Sequence, residues 1–316
     1  QAAAHVHVAP LSCCTPVMRA AIKVVRSGKW LTFWATHRAL QGMKVFTTRT
    51  LHAQGHTDAD IRTMVRRGAI ERLRRGWFAD PGAPPQVVAA IRAGASLTCV
   101  SALSETWTPN SRHLHVRWPA NSRRRTAPGT SIGHQLHRSA GCPGAVDDQP
   151  TALAAALNCV APAEWVAMAD ALLHEGWSVD TLHQRLHLAA PGHRTLVNRM
   201  MGRTNPLSES GTESLLRYDL ASVGLRARPQ VRIGRFRVDL LLGERLVLEC
   251  DSVAHHTGMH HYARDRLRDQ ELTRSGFQVL RFTYHQLVND RAAVISLLQD
   301  LCRRGLHRAP RRSRPL

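Results

Sequence analysis

Three acidic residues near the C-terminus stand where carboxylate chemistry would need them. Asp239 falls late in one apolar run, Glu249 lies in the next, and Asp251 follows two positions on. Side chains of a strand alternate between faces, so Glu249 and Asp251 project from the same face. Neighbouring strands lie about 4.8 Å apart, which lets Asp239 approach Glu249. Carboxylates held together repel unless a cation sits between them. Hard oxygen ligands suit Mg2+, which takes one or two protein carboxylates and completes its shell with phosphate oxygens and water. Such a site polarises a scissile phosphodiester and activates water. The plainer reading is ion pairing with arginine. It suits Asp265, Asp269 and Glu271, which share a helical stretch with Arg264, Arg266, Arg268 and Arg274. It suits Glu249 less well, because a carboxylate beside Leu246, Val247 and Leu248 is costly without a partner.

The elements that must position these acids read as an α-β-β-β-α-β-α series. A helix is predicted to start at Ser208–Thr212, to carry Glu213, Leu215, Leu216 and Leu220, and to stop at Gly224. Val231 to Leu242 reads as a hairpin with Gly234-Arg235 at its turn. Leu246 to Asp251 reads as a short strand, Tyr262 to Ser275 as a charged helix stopped by Gly276, Phe277 to Phe282 as a strand, and His285 to Arg304 as a last helix.

The stretches ESGTES, RVDLLL, LVLECDSVAHH, RDRLRDQEL and GFQVLRF occur in that order over about the last 100 residues. Together they resemble the PD-(D/E)xK nuclease core, and more closely the subgroup related to very-short-patch-repair endonucleases. The resemblance implies a restriction-endonuclease-like αβββαβ core that hydrolyses phosphodiester bonds with Mg2+. By position it makes Glu213 the acid of the leading helix, Asp239 the metal-binding aspartate and Glu249 the acid of the (D/E)xK strand. Asp251 takes the place usually held by Lys, and Asp239, Glu249 and Asp251 form the expected metal set. His255, Asp265, Arg268, Asp269 and Arg281 match further motif positions of the subgroup.

The chain departs from that pattern, since no Lys occurs after Lys44. The motif Lys normally orients or activates the attacking water. His255 or His256 is then the candidate general base, because His titrates near neutrality. Arg268 or Arg281 is the candidate for stabilising charge on the phosphorane. The subgroup usually reads Asp-Gly after the Glu; here Ser252 follows Asp251, which fits unless the turn needs a positive φ.

Residues 44–80 predict a small helical unit ending in a hairpin. Thr47 or Thr48 is placed to cap a helix that stops near Gly55. Thr57 or Asp58 is placed to cap a second, with Ile61, Met64 and Val65 on one face and Gly68 as its stop. Gly76 then marks a turn between two short strands. Helix, helix and basic hairpin is the layout of a winged helix, with Arg62, Arg66, Arg67, Arg72, Arg74 and Arg75 expected to face phosphates. The stretch from Phe46 to Phe78, notably LHAQGHTDADIRTMVRRGAIERLRRGWF, resembles the N-terminal domain of AbiEi-family antitoxins. That resemblance implies a winged-helix fold, and with it a non-catalytic transcriptional regulator as the alternative function, in which a toxin is the partner and the nuclease fold is degenerate.

The middle of the chain, residues 83–206, is Ala-rich and expected to be mostly helical. Leu97 to Trp107 reads as helix, Leu114 to Trp118 as a strand, and Arg123, Arg124 and Arg125 as a basic loop. The remaining divisions are a poorly structured extension or misassigned start at 1–42, a winged-helix domain at 43–82, an endonuclease-like domain at 207–305 and a basic tail at 306–316. The fold class expected is thus α+β or α/β throughout.

Composition frames these readings. Lys+Arg number 43 against 23 Asp+Glu, a formal charge of +20, and only three cations are Lys. Such an excess excludes an ordinary acidic enzyme and favours a polyanion, DNA above all, as partner. Arg suits phosphate because its planar fork donates two parallel hydrogen bonds. No uncharged apolar run of about 18 residues occurs, so no membrane span is expected. The seven cysteines (Cys13, Cys14, Cys99, Cys142, Cys159, Cys250 and Cys302) are odd in number and show no CxxC spacing. They read as small apolar fillers in a reducing cytoplasm. His255-His256 and His260-His261 invite a zinc reading, but no Cys or second His pair has the right spacing. They read instead as a loop over the site.

Overall fold

The computed structural model describes residues 44–103, 107–120, 122, 131–137, 144–251 and 259–309, with backbone alone for residues 251 and 259–266. The expectations for residues 1–42, Arg123–Arg125, His255–His256 and the end of the tail lie outside the described residues, as do those for the side chains of Asp251, His260, His261 and Asp265. The chain divides into two compact units, one ending at Arg92 and one beginning at Ala93.

In the first unit, β1 (Val45–Thr47) leads into α1 (Thr48–Ala53) and α2 (Asp58–Arg66), followed by β2 (Glu71–Arg74), β3 (Trp77–Ala79) and α3 (Pro85–Arg92). Both helices begin at threonine caps. The Thr47 side chain accepts from Thr50 N–H, and the Thr57 side chain accepts from Asp60 N–H, each in a reciprocal capping box. Gly68 and Gly76 have φ of 71° and 78°, the left-handed conformation that stops α2 and turns the hairpin. The strands form one antiparallel sheet in the order β1-β3-β2. Leu51, Ile61, Ile70 and Phe78 are buried together beneath it, with Phe46, Met64 and Val65 packed alongside.

The second unit opens with β4 (Ser96–Leu97), α4 (Cys99–Ala102), β5 (Leu114–Arg117) and β6 (Ser131–His134). The middle region is therefore not purely helical. Leu97 lies in a strand, and the short α4 follows it, where a single helix from Leu97 to Trp107 was expected. β4 pairs antiparallel with β5, and β5 pairs parallel with β6. Pairing with β5 and burial of Ser96 and Leu97 override the helical pattern at that point. Then come α5 (Gln149–Ala156), α6 (Pro162–His174), α7 (Val179–Ala189) and α8 (Arg194–Met201). Their shared core buries Leu153, Trp165, Met168, Leu172, Leu182 and Leu186.

The C-terminal part runs α9 (Gly211–Ser222), β7 (Ala227–Ile233), β8 (Phe236–Leu242), β9 (Leu246–Asp251), α10 (Met259–Arg274), β10 (Gln278–Thr283), α11 (Tyr284–Val288) and α12 (Arg291–Arg303). The last helix is two helices, not one. Asn289 closes α11 and α12 begins after Asp290, whose φ of −114° and ψ of 29° are not helical. The sheet has the order β10-β9-β8-β7. β7, β8 and β9 are antiparallel, and β10 joins β9 parallel. The architecture is mixed α+β. No helix among the described residues is long and apolar enough to cross a membrane.

One buried polar centre locks α9 onto the helical region. Asp170 of α6 accepts from Arg217 Nη2 at 2.6 Å, from Ser214 Oγ at 2.7 Å and from Asn205 N–H at 2.6 Å. Beside it, Ala163, Ala167 and Leu215 pack with Trp107 and Tyr218. Gly211 is obligatory here because a Cβ would fall 2.1 Å from ring carbons of Trp107.

Candidate active site

α9 and the two central strands bring three acids into mutual influence. Ser210 caps α9, accepting from Glu213 N–H at 3.2 Å, and its hydroxyl donates to Glu213 Oε1 at 2.8 Å. Glu213 Oε2 accepts from Glu209 N–H at 3.1 Å and from Gln230 Nε2 at 2.9 Å. The carboxylate is 4% exposed and so is satisfied by three donors, none of them cationic. Burial, then the charge of Asp239, raises its pKa, while these hydrogen bonds oppose the rise.

Gln230 carries no motif signal, yet it is built into this arrangement. It sits between the pairs Pro229↔Leu240 and Val231↔Val238 with φ of 52°, a left-handed conformation rare for a residue with a side chain. Strain of that kind persists only where the surroundings hold it, and here the Glu213 contact does part of the holding.

Asp239 lies on β8 next to Leu240, which pairs with Leu248 of β9. Its Oδ2 accepts from Cys250 N–H at 2.8 Å. Asp239 thus reaches across to β9 at the level of Glu249, as strand spacing predicts. Glu249 is 4% exposed, and its Oε1 accepts from Arg268 Nη2 at 2.8 Å. Arg268 also donates to the Arg237 carbonyl at 2.6 Å, tying α10 to both strands. Arg281 stands opposite Glu249 in the β9–β10 register and grips Asp269 through Nε and Nη2 at 3.2 and 2.9 Å.

The Glu249 carboxyl is pushed up to about 8. Burial is the largest cause, and the Asp239 charge adds to it; Arg268 and Arg281 pull the other way, and Asp269 pushes up again. The two arginines therefore do not neutralise this corner of the sheet. At neutral pH burial and the neighbouring acids favour a proton on Glu249.

The sequence-predicted residues are distributed as follows. Glu213, Asp239, Glu249 and Arg268 belong to one cluster, and Asp239 acts electrostatically on both glutamates. Glu213, Asp239 and Glu249 do not bring ligand atoms all within 4.8 Å of one another; among the described residues only a Cys/His group meets that test. Asp251 ends β9 opposite Thr283, its side chain outside the described residues, as is His255.

In the N-terminal unit Arg62, Arg66, Arg67, Arg72 and Arg75 are exposed. The unit's acids are engaged elsewhere: Asp58 with His52, Asp60 with Thr57, Glu71 with Arg92 and Asp80 with Gly82 N–H. Arg74 differs from the others, for it is half-buried with its guanidinium 5.5 Å from the Trp77 ring centre.

Residues 213–301, from α9 into α12, match the restriction-endonuclease-like family model REase_MTES_1575. The C-terminal domain is thus nuclease-like. A search of curated proteins finds no match to the chain.

Proposed function

We propose that this is a DNA-binding protein whose C-terminal domain hydrolyses phosphodiester bonds with Mg2+. The observation that carries the reading is the buried Glu249 carboxyl, raised to about 8 beside Asp239 in a domain that matches a restriction-endonuclease-like family. Two protein carboxylates fit the ligand preference of Mg2+, which completes its shell with phosphate oxygens and water. Asp239 and Glu249 would hold the ion, with Asp251 as the third candidate ligand. When bound, the ion would polarise the scissile phosphate and lower the pKa of water.

The chain's own residues have distinct parts in this scheme. Arg268 holds Glu249 in place through its Nη2 and anchors itself on the Arg237 carbonyl. Glu213, fixed by Ser210, Glu209 and Gln230, stands as a second acid beside Asp239, whose charge helps burial to raise its pKa. His255 is the proposed proton acceptor, filling the part that the absent Lys plays in the family it resembles. The N-terminal unit is proposed as a winged helix, with Arg62, Arg66, Arg67, Arg72 and Arg75 against phosphates and Arg74 holding Trp77.

The second reading is an antitoxin-like regulator with a silent nuclease fold. The Arg268 contact on Glu249 favours it, because a guanidinium there takes up part of the charge an ion would need. Plasmid incubated with the full chain, with and without Mg2+, separates the two. Cleavage that requires Mg2+ and falls to background in Asp239→Ala supports the nuclease. Tight, sequence-selective DNA binding with no cleavage under any divalent metal supports the regulator.

A further inference from the structure

A second cluster of ligand-type side chains is carried by the middle region of the sequence. Cys99 starts α4, His115 is on β5, His134 ends β6, and Cys159 follows α5. Their ligand atoms all lie within 4.8 Å of one another. Cys99 and His115 are buried, and His134 and Cys159 are half-buried.

The edge lengths suit one ion at the centre. His115 Nδ1 lies 3.1 Å from His134 Nε2 and 3.5 Å from Cys159 Sγ. A tetrahedron with Zn–N of about 2.0–2.1 Å and Zn–S of about 2.3 Å has N–N edges of about 3.3 Å and N–S edges of about 3.6 Å. A hydrogen bond explains one such edge, but not four converging ligand atoms from four separate segments. The outer nitrogen of His115 is fixed as well: Nε2 lies 3.0 Å from Ser111 Oγ, which orients Nδ1 towards the cluster. His134 in turn hydrogen-bonds to the Ala155 backbone on α5. Cys99 holds its place with φ of 53°, a costly conformation for a non-glycine residue.

We propose that Cys99, His115, His134 and Cys159 bind one zinc ion in a closed, structural Cys2His2 site. Two thiolates and two neutral imidazoles balance the dication's charge. All four positions are taken by protein, which leaves none for a substrate and makes the ion a cross-link. It ties the β4-β5-β6 sheet to the end of α5, the helix that shares a core with α6 through α8. The same chain thus sorts two metals by donor type, sulfur and imidazole here against carboxylate oxygen in the C-terminal sheet. This site does not depend on the nuclease reading, and either stands if the other falls.

The test is metal analysis of the full chain, purified without a metal-affinity tag after growth in zinc-supplemented medium. One zinc per chain is expected. Cys99→Ser and Cys159→Ser should each lose it, and Cys302→Ser should keep it. Cobalt exchanged into the unaltered protein reads the ligands without any mutation that could unfold it. It should give intense tetrahedral d–d bands with thiolate-to-cobalt charge transfer. Absence of zinc together with a featureless cobalt spectrum overturns the proposal. So does a disulfide joining Cys99 to Cys159 in non-reduced peptide mass spectra, or full zinc retention in both serine variants.

Discussion

Asp170 and Glu249 are both buried carboxylates in the same compact unit, and both face arginine. Their surroundings differ in kind. For Asp170 only burial raises the pKa, and every neighbour (Arg217, Asn205 and Ser214) opposes it. For Glu249, burial is reinforced by Asp239 and Asp269. Asp170 is a completed strut, its oxygens filled by a cation, a hydroxyl and a backbone amide. Glu249 is held by Arg268 yet crowded by negative charge. A buried acid with an arginine beside it is therefore not automatically structural; the sign of the remaining neighbours decides.

The contrast can be sharpened by mutation. The largest effect is expected for Glu249→Gln, which should reduce Mg2+-dependent cleavage to background in a gel assay and leave the fold intact. A protonated Glu249 resembles Gln in shape and charge, so urea unfolding of the variant at neutral pH should change little. Next comes Asp170→Ala, which strands Arg217 beside buried Ser214 and should cost roughly 3–5 kcal/mol of stability by urea unfolding. That loss should be the same with and without Mg2+. If Asp170→Ala is silent while Glu249→Gln unfolds the chain, the comparison is inverted.

An effect of comparable size, spread over several pH units, is expected from pH. Glu249 has a folded pKa near 8, above its unfolded value of about 4.3, so the folded state binds the extra proton between those limits. Stability from this group is then present at low pH and falls as pH rises through that window, by up to about 1.4 kcal/mol per pH unit. Thermal midpoints of the metal-free protein should show the decline, and Glu249→Gln should flatten it. Smallest of all, Arg62→Ala or Arg75→Ala should weaken binding to duplexes of any sequence alike and reduce the salt slope by about 1 in a fluorescence titration.

Much of the scaffold was legible because local rules agreed with the fold. Thr47 and Thr57 cap their helices, Gly68 and Gly76 turn the chain, and the apolar runs at Phe236–Leu242 and Leu246–Asp251 form the central strands. Their alternation also brings Asp239 and Glu249 together. What escaped depends on contacts between distant positions. Gln230 reaches Glu213 only because a residue in the left-handed conformation aims it there. The Cys/His group escaped because positions 99, 115, 134 and 159 follow no compact spacing. Its cysteines read as fillers until β5 and β6 pair and bring the two histidines side by side. A single final helix failed at Asp290 because the break is set by backbone conformation and not by Gly or Pro.

The central claim is that Asp239 and Glu249 hold a divalent ion. Calorimetric titration of the full chain with Mn2+, a spectroscopically convenient stand-in for Mg2+, measures it directly. The account predicts one site per chain in the unaltered protein, with proton release near neutral pH as Glu249 ionises, and loss of that site in Asp239→Asn and in Glu249→Gln. Unchanged Mn2+ binding in both variants, or none in the unaltered protein, would contradict it.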